Sequence, residues 1–224
     1  MAVITISRQF GSGGDEIINR VCQVMGYRLF NKRMVEEAAR EAGLGEGEII
    51  DYSEENHKVR SFFERLFTGV PAAHYGGMWP EDVAMLRTTE ELRMREEDAL
   101  QLVRKAIWRE YQAGDVVIAG RGGQVVLKDC PNVLHVRLVA PMEDRIHTVR
   151  EALRQSTHRY EADIEVRRAA QDQILQKDAA SADYIKRFYG EEWDSPLLYH
   201  LVINTGRMTT EKAVQTITTL ASWL

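Results

Sequence analysis

The sequence predicts an α/β domain built on a parallel sheet, and three observations predict it. Short apolar runs rich in β-branched residues, such as "VITI" at 3–6 and "VVIA" at 116–119, have the length of buried strands. Segments with apolar residues at helical spacing alternate with those runs. A glycine-rich turn, "GSGG" at 11–14, joins the first run to the first helical segment.

Taken in order, Val3 to Ser7 is the first strand. In "DEIINRVCQVMG", Ile17, Val21, Val24 and Met25 recur at helical spacing, and Gly26 closes the helix. "YRLF" is a short second strand, and "NKRMVEEAAREAG" is helical and closed by Gly43. Residues 46–113 hold charged helical stretches on either side of "TGVPAAHYGGMWPEDV", an aperiodic segment that predicts a mobile loop. The alternation then returns. "GDVVIAG" is a strand ending at "GRGG", and "NVLHVRLVA" is another, with Pro141 suited to the first turn of the helix after it. "DIEVRRAAQDQILQKDAASADYIKRFYG" is a long helical region. "LYHLVINTG" is the fifth strand, and the closing helix is capped by Thr209.

Size and composition bound the reading. A chain of 224 residues suits one sizeable domain, here taken as 1–224. A net charge of −5 disfavours a general nucleic-acid binder, while leaving room for a local basic pocket. Cys22 and Cys130 match no metal or redox spacing and read as buried thiols. The opening "MAVITISRQF" lacks the pattern of a signal peptide, and no apolar run approaches the roughly 20 residues of a membrane span. A reduced cytoplasm and no membrane partner are the expectations.

Glycines between a strand and a helix predict an anion cradle, because a helix start offers unpaired N–H groups and a partial positive charge. The dinucleotide fingerprint G-x-G-x-x-G fits poorly: Glu16 stands at its third glycine, and the second strand ends in Phe30 and Asn31 rather than an acid. The phosphate-loop pattern G-x-x-x-x-G-K-[ST] fits better, with Gly13 as its last glycine. Its lysine position is then Gly14 and its hydroxyl position Asp15.

Several segments together, "ITISRQFGSGGDEI", "LFNKRMVEEAA", "VVIAGRGGQVVL", "VLHVRLVAPMEDRI" and "LVINTGRMTTEKAV", resemble the cytidylate kinase-like family, a divergent branch of the nucleoside monophosphate kinases. The resemblance runs nearly end to end. It implies a three-layer P-loop kinase fold with a five-stranded parallel sheet, an acceptor-binding helical insertion at 46–90 and a lid at 155–190. It also implies ATP and Mg2+ as cofactors, and nucleotides or small phosphorylated molecules as partners. By that resemblance Gly11, Ser12, Gly13 and Gly14 form the phosphate-binding loop; Arg8 and Asp15, which flank it in this chain, join the expected phosphate-binding residues, with the Asp15 carboxylate able to hold the metal in place of the usual hydroxyl. Lys32 and Arg33, beside Asn31 after the second strand, and Arg121 bind the acceptor. Lys177, Asp178, Lys186 and Arg187 belong to the lid.

The departures carry equal weight. The family's enzymes spell G-S-G-K-[ST] and G-R-D where this chain has "GSGGDE" and "GRG", Gly120 to Gly122. Phosphoryl transfer is mostly positioning and charge neutralisation, so a displaced cation can serve. Lys32 and Arg121 are the expected catalytic cations, and Arg8 is a further candidate, either as a phosphate ligand or as an anchor beneath the loop. The expected activity is ATP-dependent phosphoryl transfer to a nucleoside monophosphate, cytidylate-like, or to a similar small phosphate. The alternatives are a non-catalytic nucleotide or phosphate sensor on a degenerate kinase fold, and a protein-interaction scaffold.

Overall fold

The computed structural model describes residues 2–30, 34, 97, 100–156 and 163–224. The expected insertion at 46–90, the helix from Asn31 to Gly43 apart from Met34, and the residues Asn31, Lys32 and Arg33 lie outside the described residues. Five strands form one parallel sheet: β1 (Val3–Arg8), β2 (Arg28–Phe30), β3 (Val116–Ala119), β4 (Val133–Val139) and β5 (Leu201–Asn204), in the order β2-β3-β1-β4-β5. β1 sits in the middle, pairing Val3 with Val116 on one side and with Val133 on the other.

Two helical layers cover this sheet. Helices α1 (Gly14–Met25) and α6 (Thr210–Ala221) share one face, where Ile17, Ile18, Val21, Val214 and Ile217 meet Ile4, Ile6, Val136 and Leu138. On the other face, α2 (100–113) and the short α3 (Gly123–Val126) pack Val103, Ile107 and Leu127 against Val3, Val116 and Ile118. α4 (Met142–Ser156) and α5 (Asp163–Tyr189) pair through Ile146, Val149, Ala170 and Ile174. The pleat explains the division, since Ile4 and Ile6 point one way and Val3, Thr5 and Ser7 the other. Thr209 caps α6 as expected, accepting from Lys212 N–H. The cysteines differ from expectation. Both are free and half-buried rather than buried, each on the rim of a core cluster, and partial burial raises both thiol pKa values. Among the described residues no helix is long and apolar enough to cross a membrane.

The strand order sets where a ligand can bind. After β1 the chain leaves towards the β2 edge, and after β3 it crosses towards β4. Adjacent strands whose connections depart in opposite directions open a crevice at their carboxyl ends, where open α/β sheets bind ligands. Gly120 N–H donates to Ile6 O at 3.0 Å, so the turns after β1 and β3 begin side by side.

Beneath this edge His135 of β4 is 3% exposed. Its Nδ1 lies 2.7 Å from Thr5 Oγ1, and its ring stacks on His200 with centroids 4.9 Å apart. Burial, reinforced by the neighbouring His200, lowers its pKa from 6.5 to about 4. Between those values the unfolded chain binds a proton that the folded chain refuses, so stability falls as pH drops from 6.5 towards 4. The full contribution is about 3 kcal/mol at most. His135→Gln should flatten that part of the pH dependence when urea midpoints are compared at pH 7 and near pH 4.5. An unaltered slope would show that His135 does not carry it.

Candidate functional site

The loop after β1 is tied down before it turns. Gln9 N–H donates to Leu138 O at 3.0 Å, and the Gln9 side-chain oxygen accepts from Ala140 N–H at 3.1 Å. Thr205 Oγ1 donates to Ser12 O at 2.8 Å. Gly11 and Gly13 take left-handed φ values of 81° and 73°. A Cβ on Gly11 would strike Val149 Cγ2 at 2.9 Å and the Arg145 carbonyl oxygen at 3.0 Å, so the loop lies hard against α4. A Cβ on Gly13 would meet nothing within 4 Å. Gly13 is the N-cap of α1 and supplies no side-chain cap, leaving the first-turn N–H groups open to an anion.

Arg8 fills the space beside Gly14. In the G-x-x-x-x-G-K spelling, Arg8 stands at the first glycine and Gly14 at the lysine. The arginine stem runs across Gly14: a Cβ there would lie 2.8 Å from Arg8 Cδ, 3.0 Å from Cβ and 3.2 Å from Cγ. No side chain fits at 14 while Arg8 holds this rotamer. A guanidinium therefore reaches the glycine loop from the end of β1. Arg8 Nε pairs with Asp15 Oδ1 at 2.8 Å, and the side chains are 18% and 79% exposed. A pair this exposed contributes about 0–1 kcal/mol to stability, so its main effect is to orient the guanidinium.

A cleft of about 430 Å³ opens over these residues. The loop and the end of β1 form one wall. Thr148 and Val149 of α4, with Gln173, Lys177, Asp178 and Ser181 of α5, form the other. Phe10 N–H donates to Asp178 Oδ1 at 2.9 Å, and Arg145 Nη1 donates to Asp178 Oδ2 at 2.5 Å.

The neighbouring turn after β3 is strained. Gly120, Arg121 and Gly122 have φ values of 64°, 59° and 72°, three left-handed residues in succession. A non-glycine residue held there costs of order 1–3 kcal/mol and often marks a working site. The Arg121 guanidinium lies 6.0 Å from the Phe30 ring centroid, at the end of β2. At Gly122 a Cβ would sit 2.5 Å from the Tyr189 ring, over which Arg104 stacks at 4.9 Å. The Tyr189 ring fills the space that the side chain of the G-R-D aspartate would take, and the left-handed backbone adds to the cost of any side chain there.

Of the residues singled out from sequence, Arg8, Gly11, Gly13, Gly14, Asp15, Lys177 and Asp178 line one cleft. Ser12 is buried behind it, its hydroxyl without a hydrogen-bond partner among the described residues. Arg121 lies one strand over, on the side facing β2. Lys186 pairs with Glu192 at 2.5 Å and Arg187 lies over the Phe188 ring at 5.4 Å; neither lines the cleft. Sequence reasoning missed Gln9, Arg145, Tyr189 and Thr205, because their partners are distant along the chain. Gln9 meets Ala140, 131 residues away, and Thr205 meets Ser12, 193 residues away. Local pattern carries no signal for such pairs. Mg2+ finds no ready cage. Among the described residues no three His, Cys, Asp or Glu side chains gather, Asp178 uses both oxygens internally, and Asp15 is paired with Arg8. These residues do not fit a metal held by protein alone.

Gly14→Ala isolates the steric claim, because Gly14 is helical and alanine is the better helix former. The overlap with Arg8 should nevertheless destabilise the protein by about 1–3 kcal/mol. Removing the stem with Arg8→Ala in the same chain should recover most of the loss. A Gly14→Ala protein that melts at or above the parent temperature would refute the contact.

Comparison with known proteins places this geometry. A model of the cytidylate kinase-like family matches residues 3–207. The search of curated proteins gives no match. An uncharacterized protein from Eubacterium ventriosum is similar in structure, with TM-score 0.61 and 16% identity over 99% of each chain. A shikimate kinase from Bacteroides thetaiotaomicron follows at TM-score 0.48, 15% identity, and 99% and 98% coverage. TT1252 from Thermus thermophilus has TM-score 0.46 and 19% identity over 100% of this chain and 97% of that one. At such identities the likeness speaks to fold alone, and of these three only the first has a TM-score high enough to bear on it. The family match spans both the glycine loop and the last strand. Nucleotide-dependent phosphoryl transfer is the general class of chemistry it supports, and the chain belongs to the cytidylate kinase-like family.

Proposed function

We propose that the protein transfers a phosphoryl group from ATP to a nucleoside monophosphate or a similar small phosphate acceptor. The observation that carries this reading is the Arg8 stem lying across Gly14, which returns a cation to a loop whose spelling has lost one. In the reaction an acceptor phosphate oxygen attacks the γ-phosphorus while the bond to the departing ADP oxygen breaks. Such a transfer asks the protein mainly to align the partners and neutralise charge.

The backbone of Gly11 to Asp15 would cradle the donor phosphates, with Arg8 gripping them by its planar fork. Asp15 would aim that fork. Lys177 would add charge from the α5 side of the cleft. Lys32, Arg33 and Arg121 would hold the acceptor at the ends of β2 and β3. Mg2+, usual for such kinases, neutralises phosphate charge when it is bound, and in this site it would arrive on the nucleotide.

A non-catalytic nucleotide sensor is the second reading. It is favoured by Asp15 pairing with Arg8, a contact that offsets part of the cation's charge. A thermal-shift panel of nucleoside mono-, di- and triphosphates, with and without Mg2+, separates the two. Stabilisation by both a monophosphate and a triphosphate is the kinase result. Stabilisation by a triphosphate alone is the sensor result, and no response points to a scaffold. Lys32→Ala and Arg121→Ala should each lower turnover by roughly tenfold to a hundredfold, more than they weaken binding. Steady-state kinetics with unchanged turnover in both variants would remove these residues from the mechanism.

A further inference from the structure

We infer that Asp178 is a positioning residue, which holds the glycine loop in its phosphate-accepting shape and fixes the α5 face that presents Lys177. The inference rests on reading the cleft as a nucleotide site. Its basis is a three-way junction between elements far apart in the chain. One Asp178 oxygen accepts from the Phe10 amide and the other from Arg145 Nη1. Arg145 Nη1 also approaches Phe10 O at 3.4 Å. The Arg145 side chain is 6% exposed and that of Asp178 19%, so water competes weakly for either.

The junction has two consequences for the site. First, it closes the loop from behind. Gly11 is already pressed against the Arg145 carbonyl, and the Phe10 amide is spoken for, so the donors left to a phosphate begin beyond Phe10. Second, it sets the rotation of α5. Gln173, Lys177 and Ser181 recur every four residues and all three line the cleft, forming one stripe beside the anchored Asp178. Without the anchor, α5 is held to α4 by apolar packing at Ala170 and Ile174 and by exposed ion pairs nearer its N-terminus, Arg167 with Glu143 and Asp163 with Arg150 and Arg154, none of which touches the glycine loop.

The test compares Asp178→Leu, which removes both acceptors, with Asp178→Asn, which keeps an oxygen for the Phe10 amide. Affinity for a non-hydrolysable ATP analogue should fall about tenfold or more in Asp178→Leu, the cost of ordering a loop no longer preorganised. Asp178→Asn should recover at least about threefold of that. The KM for ATP should rise by a larger factor than kcat falls, because the junction acts on the shape of the loop and does not touch the transferred group. Amide exchange across residues 9–15 of the ligand-free protein should speed up in Asp178→Leu and return towards parent in Asp178→Asn. Parent-like affinity and exchange in Asp178→Leu would overturn the inference, as would an Asn variant as impaired as the Leu variant in both. A parent protein that binds no triphosphate would instead overturn the functional reading, and the exchange data would still decide whether Asp178 holds the loop.

Discussion

The aliphatic stem of Arg8 lies across the first residue of α1, and a glycine at 14 is what allows it. Two departures from the phosphate-loop spelling then become one: an arginine where the first glycine would be, and a glycine where the lysine would be. The two positions are sterically coupled, with Arg8 Cδ 2.8 Å from where a Cβ on residue 14 would lie. A lysine at 14 would drive its Cβ into the arginine, and a glycine at both positions would leave the loop without a side-chain cation. The partner at 15 fits the same logic. Asp15 is too exposed to contribute much stability through the ion pair, yet by meeting Arg8 at Nε it ties down the stem side of the planar guanidinium.

The opposite face of β1 keeps the arginine where it is. Ser7 points away from Arg8 and accepts from Trp193 Nε1 at 2.9 Å. The backbone of Trp193 accepts in turn from Arg137 Nη1 at 2.5 Å and from the Tyr199 hydroxyl at 2.7 Å, and the Arg137 guanidinium stacks on the Trp193 ring at 4.2 Å. Arg137 is 3% exposed. A buried cation hydrogen-bonded through Nη1 and stacked on an aromatic face makes a rigid support, and Ser7, which it braces through Trp193, stands one residue before Arg8. The strand order adds the second loop: β3 runs beside β1, so the strained Arg121 turn opens onto the same carboxyl edge as the glycine loop.

Much of this is legible in the sequence because local pattern and tertiary structure agree. Four of the five strands are readable as short runs with β-branched residues and β2 as the short apolar-ended "YRLF", and the glycines at 11, 13 and 26 mark turns that do require left-handed backbone. The reading that Gly14 has simply lost a lysine is incomplete, because the contact that forbids one comes through space from a residue on the preceding strand. Nothing in helical or strand periodicity encodes it. The same holds for Gly122, whose missing side chain is explained by Tyr189, 67 residues later in number but pressed against it in the fold. By composition Asp178 is one charge among many in a long polar helix, and its contacts with the Phe10 amide and Arg145 distinguish it. Lys186 and Arg187 are equivalent to Lys177 by composition, but the helix carries them past the cleft.

The compensation between positions 8 and 14 is the claim on which the rest depends, and a binding cycle tests it most directly. Affinity for a non-hydrolysable ATP analogue would be measured calorimetrically in the parent, in Arg8→Gly, and in Arg8→Gly combined with Gly14→Lys, which together restore the full G-x-x-x-x-G-K spelling. Loss of the Arg8 cation should weaken Arg8→Gly by about tenfold or more. The double variant should regain most of that affinity, because the glycine at 8 vacates the space that the lysine stem then needs. An Arg8→Gly protein that binds the analogue as tightly as the parent would contradict the compensation.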